Sequence, residues 1–175
     1  MDKETITLFA KYNQTANCSM NEIIKTLTPA EWDKELGGYF KTVHALCSHI
    51  FVCDFNWLKR FSKFRDFAVF GEPFFSREMY SFSEVIFNDS SEYLARRPKL
   101  DEWIIRFASE LNDSELMGML TYTDSSGADY RWLFGGLIMH SLNHGTYHRG
   151  MLSLYLELLG KENDFGSLRP VQAKL

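Results

Sequence analysis

Apolar residues recur at steps of three and four along the long stretches of this chain, which is the repeat of one face of an α-helix. The first stretch, from about Ile6 to Thr26, carries Leu8, Phe9, Tyr12, Ala16, Met20, Ile23 and Ile24. Further long helices are predicted from Phe40 to Lys63, from Ser83 to Leu111 with a break at Arg97-Pro98, and from Leu133 to Leu159. In a chain of 175 residues, this pattern predicts an all-α four-helix bundle, with residues 1–175 as a single domain.

The connections between these helices are predicted to hold one short helix and one small hairpin. Thr28 followed by Pro29 is typical of a capped helix start, and this short helix is predicted to end near Gly37-Gly38. Strand-like residues at 120–123 and 130–132 flank the turn cluster 124–127. That alternation of strand-like and turn residues indicates a short β-hairpin.

Composition excludes several classes of function. The net charge is -4 and the densest basic run is only residues 96–99, so the broad basic footprint of a nucleic-acid-binding protein is lacking. The sequence shows neither an apolar signal core at its start nor 18 uninterrupted apolar residues, so we expect no membrane partner. Three cysteines, Cys18, Cys47 and Cys53, form no CxxC pair, which favours reduced thiols in a cytoplasmic protein.

The five histidines lie on only two of the predicted helices. His140, His144 and His148 are spaced i, i+4, i+8 on the last helix, and His44 and His49 are on the second. Residues four apart are about 40° round the helix and roughly 6 Å along it, so two such histidines can share one metal ion. Three in a row span roughly 12 Å, so another helix must provide the third ligand. Spacing alone leaves open which pair binds.

Other side chains near these histidines have ordinary structural interpretations. Asp54 is expected to be a surface or inter-helix acid, Arg149 to bond nearby carbonyls or an acid, and Asn143 to bond backbone or orient a ligand. Gly145 and Gly150 would permit close helix approach. Four aromatic residues are candidates for a pocket lining, although each is more often plain core: Phe51, Trp57, Phe61 and Tyr122.

Several motifs together resemble the DinB-like family, and the match runs in order along nearly the whole chain. Residues 140–150 read HSLNHGTYHRG, which is similar to the family pattern of Asn-His followed by His-Arg-Gly. His49-Ile50, Asp54 and Trp57-Leu58 resemble its second-helix motif. Residues 8–17 are similar to its opening helix, and residues 120–127 to its connector. One neighbour departs from the pattern, because Tyr147 stands where the family often has a second histidine.

The resemblance implies a DinB/YfiT-like bundle of up-up-down-down order that often forms a homodimer. It also implies a divalent-metal site whose ligands, carried over residue by residue, are His49, His144 and His148. Zinc is the first candidate for the ion and nickel the second, although imidazole ligands also suit copper and iron. Some relatives are transferases or isomerases that use bacillithiol, mycothiol or glutathione, so a low-molecular-weight thiol is a candidate cofactor. Others are described as metal-dependent hydrolases.

Three hypotheses about function follow. Three protein ligands leave a coordination position open, which is the pattern of catalytic zinc, where the ion activates water or polarises a substrate oxygen. The first hypothesis is therefore a metal-dependent transferase or hydrolase acting on a small molecule. The second is a non-catalytic stress-response or binding protein with a structural or vestigial metal. The third is a helical bundle without metal, in which the histidines only pack.

Overall fold

The computed structural model of the chain describes residues 1–124 and 126–172, and these are mostly helical. The helices are α1 (Lys3–Ile24), α2 (Pro29–Trp32), α3 (Val43–Phe61), α4 (Ser90–Glu110), α5 (Asp113–Leu116), α6 (Phe134–Leu158) and α7 (Arg169–Gln172). Two 3₁₀ turns follow α3, at Ala68–Gly71 and Pro73–Ser76. Strands β1 (Met119–Thr123) and β2 (Asp129–Leu133) lie between α5 and α6.

The four long helices pack in a closed ring around one core. α1 packs against α4 and α6, and α3 packs against the same two helices. The core between them is rich in aromatic rings, such as Phe61, which stacks on Phe107 with ring centroids 5.3 Å apart. None of the helices in the described residues is long and apolar enough to cross a membrane.

The predicted start and break of the third long helix were both wrong. α4 begins at Ser90 rather than near Ser83, because the Asp89 side chain accepts a hydrogen bond from the Glu92 N–H at 2.9 Å and caps the helix. The helix then runs through Pro98 without interruption. Proline removes only one backbone donor, and Arg97 pairs with Asp101 across it, with Nη2 and Oδ1 2.5 Å apart.

The short helix α2 is capped as predicted but ends sooner. The Thr28 side chain accepts from the Glu31 N–H, and the Glu31 side chain accepts from the Thr28 N–H. The helix stops at Trp32, not near Gly37-Gly38. Both glycines have positive φ, 86° and 71°, so they turn the chain, which glycine does without steric cost.

The small hairpin is confirmed. β1 and β2 are antiparallel, with a register from Met119 opposite Leu133 to Thr123 opposite Asp129. Ser125 of the predicted turn cluster lies outside the described residues. β2 leads directly into α6 at Phe134, so the hairpin fixes where that histidine-bearing helix begins.

Candidate metal centre

One face of α3 carries four polar residues, His49, Cys53, Asn56 and Arg60, which we name the polar stripe. Steps of four, three and four residues keep them within about 60° of one another round the helix. His49 is half-buried, whereas the other three are buried. The stripe faces α6 at its His49 end, where the ring centroids of His49 and His148 are 4.6 Å apart.

His144 and His148 come together on α6, one turn apart, as their i, i+4 spacing predicted. Their Nε2 atoms are 3.0 Å apart. Two nitrogens on one tetrahedral zinc, with Zn–N bonds of about 2.0–2.1 Å, would be roughly 3.3 Å apart. The Nδ1 atoms of both rings are buried and have no hydrogen-bond partner among the described residues. These two imidazoles are poorly satisfied by the protein alone, and their convergent Nε2 atoms fit a cation.

His49 completes the group from the facing helix. Its Nδ1 lies 3.3 Å from the Phe82 carbonyl oxygen. Because a carbonyl only accepts, this contact places the proton on Nδ1 and leaves Nε2 unprotonated, as an acceptor. Such an outer hydrogen bond is the usual way in which a ligating histidine is oriented. The ring centroids of His49 and His144 are 5.3 Å apart.

Burial keeps these three imidazoles neutral, which is the state that ligates a metal. Burial lowers the pKa of His49 and of His144, and the charge of Asp54 only partly opposes it. Burial, together with the neighbouring His144 and His49, lowers the pKa of His148 to about 3.

Cys53 is a fourth group at the same place, which the sequence interpretation treated only as a packed thiol. The ligand atoms of His49, Cys53 and His144 all lie within 4.8 Å of one another. The Cys53 Sγ is 3.5 Å from the His49 Nε2. Burial raises the pKa of this thiol to about 12, so without a cation beside it the sulfur carries its proton. A possible signal was the i, i+4 spacing of His49 and Cys53, the same as that of His144 and His148.

The other two histidines are engaged elsewhere. Both ring nitrogens of His44 have partners, with Nδ1 2.8 Å from the Asp33 carboxylate and Nε2 2.8 Å from the Phe87 carbonyl oxygen. His140 is exposed, and its ring packs edge-on to Trp57.

A cavity of about 770 Å³ opens beside the polar stripe and includes His49, Asn56 and Arg60 in its lining. Its opposite wall is the segment 79–85, which follows the 3₁₀ turns. Asn56 holds this wall by both ends of its amide, because Nδ2 donates to the Tyr80 carbonyl at 2.9 Å and Oδ1 accepts from the Tyr80 N–H at 3.0 Å. The volume is within the range of about 300–1,000 Å³ typical of small-molecule sites.

The four aromatic candidates for the pocket lining divide between two roles. Phe51 and Phe61 are fully buried core residues. Trp57 and Tyr122 do not line this cavity, yet their rings lie 5.0 and 5.3 Å from the Arg60 guanidinium carbon. Arg60 itself was missed, because a lysine or arginine near a helix C-terminus usually points to solvent.

Beneath the histidines lies a buried ionic cluster that we define as Asp54, Arg97 and Asp101 with their partners Asn17, Asn13 and Arg149. Arg97 donates to the Asp54 Oδ2 at 2.7 Å and to the Asp101 Oδ1 at 2.5 Å. Asn17 links the two halves, since its amide donates to Asp101 and its oxygen accepts from Arg149. The cluster joins α1, α3, α4 and α6. Asp54 is buried between helices and not at the surface, and Arg149 donates to the side-chain oxygens of Asn13 and Asn17.

Gly145 lies against this cluster, and its lack of a side chain leaves room for Arg149 and Asn13. A Cβ at Gly145 would lie 3.2 Å from the Arg149 Nη1 and 3.2 Å from the Asn13 Oδ1. Gly150 has nothing within 4 Å of such an atom. Of the two glycines predicted to permit close approach, only Gly145 does so.

Comparisons with known proteins agree with this arrangement. The model of the DinB family matches residues 1–165. Protein DinB of Bacillus subtilis (strain 168) is 26% identical over 152 residues, which cover 86% of this chain and 83% of that protein. The family match includes both helices that carry the histidine cluster and the hairpin between α5 and α6. This chain belongs to the DinB family.

Proposed function

We propose that this chain is a divalent-metal-dependent enzyme that acts on a small molecule, as a thiol-dependent transferase or a hydrolase. The ligands would be His49, His144 and His148, with zinc as the first candidate ion and nickel as the second. The observation that supports this most is the 3.0 Å approach of the His144 and His148 Nε2 atoms beside a His49 whose Nε2 is unprotonated.

The chain's own residues would prepare the site. A bound divalent ion would supply Lewis acidity at the His49 end of the cavity. The Phe82 carbonyl would hold the His49 ring in its ligating tautomer, and burial would keep all three imidazoles neutral. Phe40 would shield the ligands from water, since its ring centroid is 4.5 Å from that of His49 and 5.3 Å from that of His148.

Cys53 favours a second candidate function. A thiolate that joined three imidazoles would give four protein ligands, and a closed set of four is the pattern of structural zinc. The protein would then be a non-catalytic stress-response or binding protein. The distance of 3.5 Å between the Cys53 Sγ and the His49 Nε2 is the reason to test this alternative.

Metal analysis of protein purified without a polyhistidine tag would test both candidates. We expect about one zinc or nickel ion per chain in the wild type and almost none in His49→Ala, His144→Ala or His148→Ala. His140→Ala is the matched control on α6 and should keep the ion. Absence of metal from the wild type, even after incubation with zinc or nickel, would refute the proposal.

Cys53→Ser separates the open site from the closed one. If the three histidines alone bind the ion, Cys53→Ser should keep it. The cobalt-substituted wild type should then show no sulfur-to-metal charge-transfer absorption. Loss of the ion in Cys53→Ser, or a strong charge-transfer band in the wild type, would favour the structural alternative.

The architecture that accompanies this proposal is a single domain over residues 1–175, with its four long helices in up-up-down-down order. We also propose a homodimer in the cytoplasm. Exposed apolar side chains on the hairpin, Trp132 and Leu133 among them, support a dimer because they are available for contact. Light scattering across a range of concentrations would measure the oligomeric state directly.

A further inference from the structure

Arg60 is a buried cation for which the described residues supply no hydrogen-bonding counterpart at Nε or Nη1. Its side chain is 4% exposed, and Nε and Nη1 are buried with no hydrogen-bond partner among the described residues. Burial lowers the pKa of Arg60, and the groups Tyr122, Cys53 and Asp124 only partly oppose this. An arginine stays charged at neutral pH even so. A buried charge without a partner is costly, and such groups are kept where something else completes them.

The surroundings of Arg60 leave its hydrogen-bonding groups available. The rings of Trp57, Phe82 and Tyr122 lie 5.0–5.4 Å from its guanidinium carbon. Aromatic rings attract the charge of a guanidinium group but supply no oxygen acceptor for its N–H donors. The cation is thus held in place by groups that use none of its donors.

The cavity lining holds two acids, Asp124 and Glu84, and both accept hydrogen bonds from other groups. The Glu84 Oε2 accepts from the Ser81 N–H at 3.2 Å. The Asp124 Oδ1 accepts hydrogen bonds from the Ser126 N–H at 2.8 Å, the Ser126 hydroxyl at 2.6 Å and the Ala128 N–H at 3.0 Å. It closes the turn of the hairpin. Asp124 therefore does not act as the hydrogen-bonded counterion of Arg60.

Arg60 and His49 lie on the same face of α3 and line the same cavity. Eleven residues separate them, which is three helical turns and about 16 Å of axis. A molecule that entered the cavity could therefore meet the cation at one end and the histidine cluster at the other. The hydroxyl oxygens of Ser81 and Ser83 in the lining are 3.2 Å apart, so one of the two hydroxyls can donate to the other and the second to an anion.

We propose that the cavity binds a small organic anion and that Arg60 holds its carboxylate or phosphate group. This rests on the proposed function for the identity of the cavity as the substrate site, and it names the class of substrate. Guanidinium groups bind both carboxylate and phosphate through paired N–H donors. The apolar part of the molecule would lie against Phe40 and Phe82, which both line the cavity.

Isothermal titration calorimetry with defined probes tests this proposal. The probes are 4-phenylbutyrate, phenyl phosphate and the neutral 4-phenylbutyramide, each titrated into zinc-loaded and into EDTA-treated protein. At least one anion should bind about tenfold or more tightly than the amide, since hydrogen bonds to charged groups are the stronger ones. The tighter of the two anions identifies carboxylate or phosphate as the recognised group. Equal binding of the amide, or no binding of either anion, would overturn the proposal.

Two variants provide the matched comparison. Arg60→Met should weaken binding of the preferred anion by about 10- to 100-fold. Arg106→Met should change it by less than about twofold, because Arg106 does not line the cavity and pairs with Glu72 instead. Unchanged binding in a folded Arg60→Met variant would contradict the proposal.

A measurement on the wild type covers the case in which Arg60→Met does not fold. The Nε–H resonance of Arg60, assigned from Arg60→Lys, should shift on addition of the preferred anion and not of the amide. An unmoved resonance at saturation would refute the contact. If the anion binds EDTA-treated protein but metal analysis finds no ion in the wild type, the anion site stands and the proposed metal-dependent enzyme does not. If the wild type binds metal but neither anion, the metal-dependent enzyme stands and the proposed anionic substrate does not.

Discussion

Two buried arginines show how the interior polar groups of this protein differ. Arg97, in the ionic cluster, is completely buried and donates to two carboxylates. Arg60, on the polar stripe, is almost as buried, yet it contacts aromatic faces and has no hydrogen-bond partner for Nε or Nη1 among the described residues. Burial would lower the pKa of Arg97, but the charges of Asp101 and Asp54 outweigh it and raise the pKa. Arg97 also has one buried donor, Nε, without a partner among the described residues, so the contrast lies in its two carboxylate partners. It supports a role of the ionic cluster in maintaining the fold and the proposal that the stripe receives a ligand.

The largest expected effect comes from breaking the ionic cluster. Arg97→Met would leave Asp54 and Asp101 buried without their cation, and removal of one partner from a buried ion pair costs about 3–5 kcal/mol. Urea unfolding would measure this loss. Arg106→Met is the matched control, because Arg106 and Glu72 form an exposed pair worth about 0–1 kcal/mol. Equal losses in the two variants would show that the cluster does not maintain the fold.

Zinc should stabilise the protein through the histidines and not through the ionic cluster. Free zinc at 100 times its dissociation constant would add about 2.7 kcal/mol to the free energy of unfolding. His148→Ala should lose most of that gain, whereas His140→Ala should keep it. Thermal unfolding with and without zinc measures both. A gain that survives in His148→Ala would place the ion elsewhere.

Two glycines on α6 test where the ionic cluster ends. Gly145→Ala should destabilise the protein by about 1–3 kcal/mol, since the new methyl group would press on Arg149 and Asn13, which are both held by hydrogen bonds. Gly150→Ala should instead stabilise it by up to about 1 kcal/mol, through helix propensity alone. Chemical unfolding of the two variants measures the difference in their free energies of unfolding. A Gly145→Ala variant as stable as Gly150→Ala would show that Arg149 and Asn13 can shift to make room for the methyl group.

The smallest expected effect is on thiol reactivity. Cys18 is exposed, whereas Cys47 and Cys53 are buried, and burial raises the pKa of both buried thiols. A disulfide reagent should therefore modify one cysteine per native chain quickly, and all three after denaturation. Rapid modification of Cys53 in the native protein would show that the stripe opens to solvent.

Much of the fold could be predicted from local signals. The apolar repeat located the four long helices, and the capping pair Thr28 and Glu31 located the start of α2. The start of α4 was misplaced because Ser83 and Asp89 are both acceptable caps, and only tertiary packing decides between them. The predicted break at Pro98 failed for a similar reason, since the pairing of Arg97 with Asp101 across the proline is not visible in the apolar pattern.

The candidate site was predictable where spacing along one helix determines it. The i, i+4, i+8 spacing predicted that two neighbouring histidines of α6 come together, but the choice of His144 and His148, like that of His49, came from the family resemblance. Cys53 and Arg60 were not identified, because their roles depend on which face of α3 meets the cavity. Contacts between distant segments, such as that of His49 with Phe82, determine this face.

The double hydrogen bond between Asn56 and the backbone of Tyr80 has a consequence for how this cavity can diverge. The Asn56 amide makes the two hydrogen bonds that a neighbouring β-strand would make, and both are to backbone atoms of Tyr80 in the segment 79–85. Apart from the buried Tyr80, the side chains of that segment can therefore change without loss of this anchor. One asparagine of α3 thus keeps the cavity wall in place whatever side chains the wall presents to the cavity.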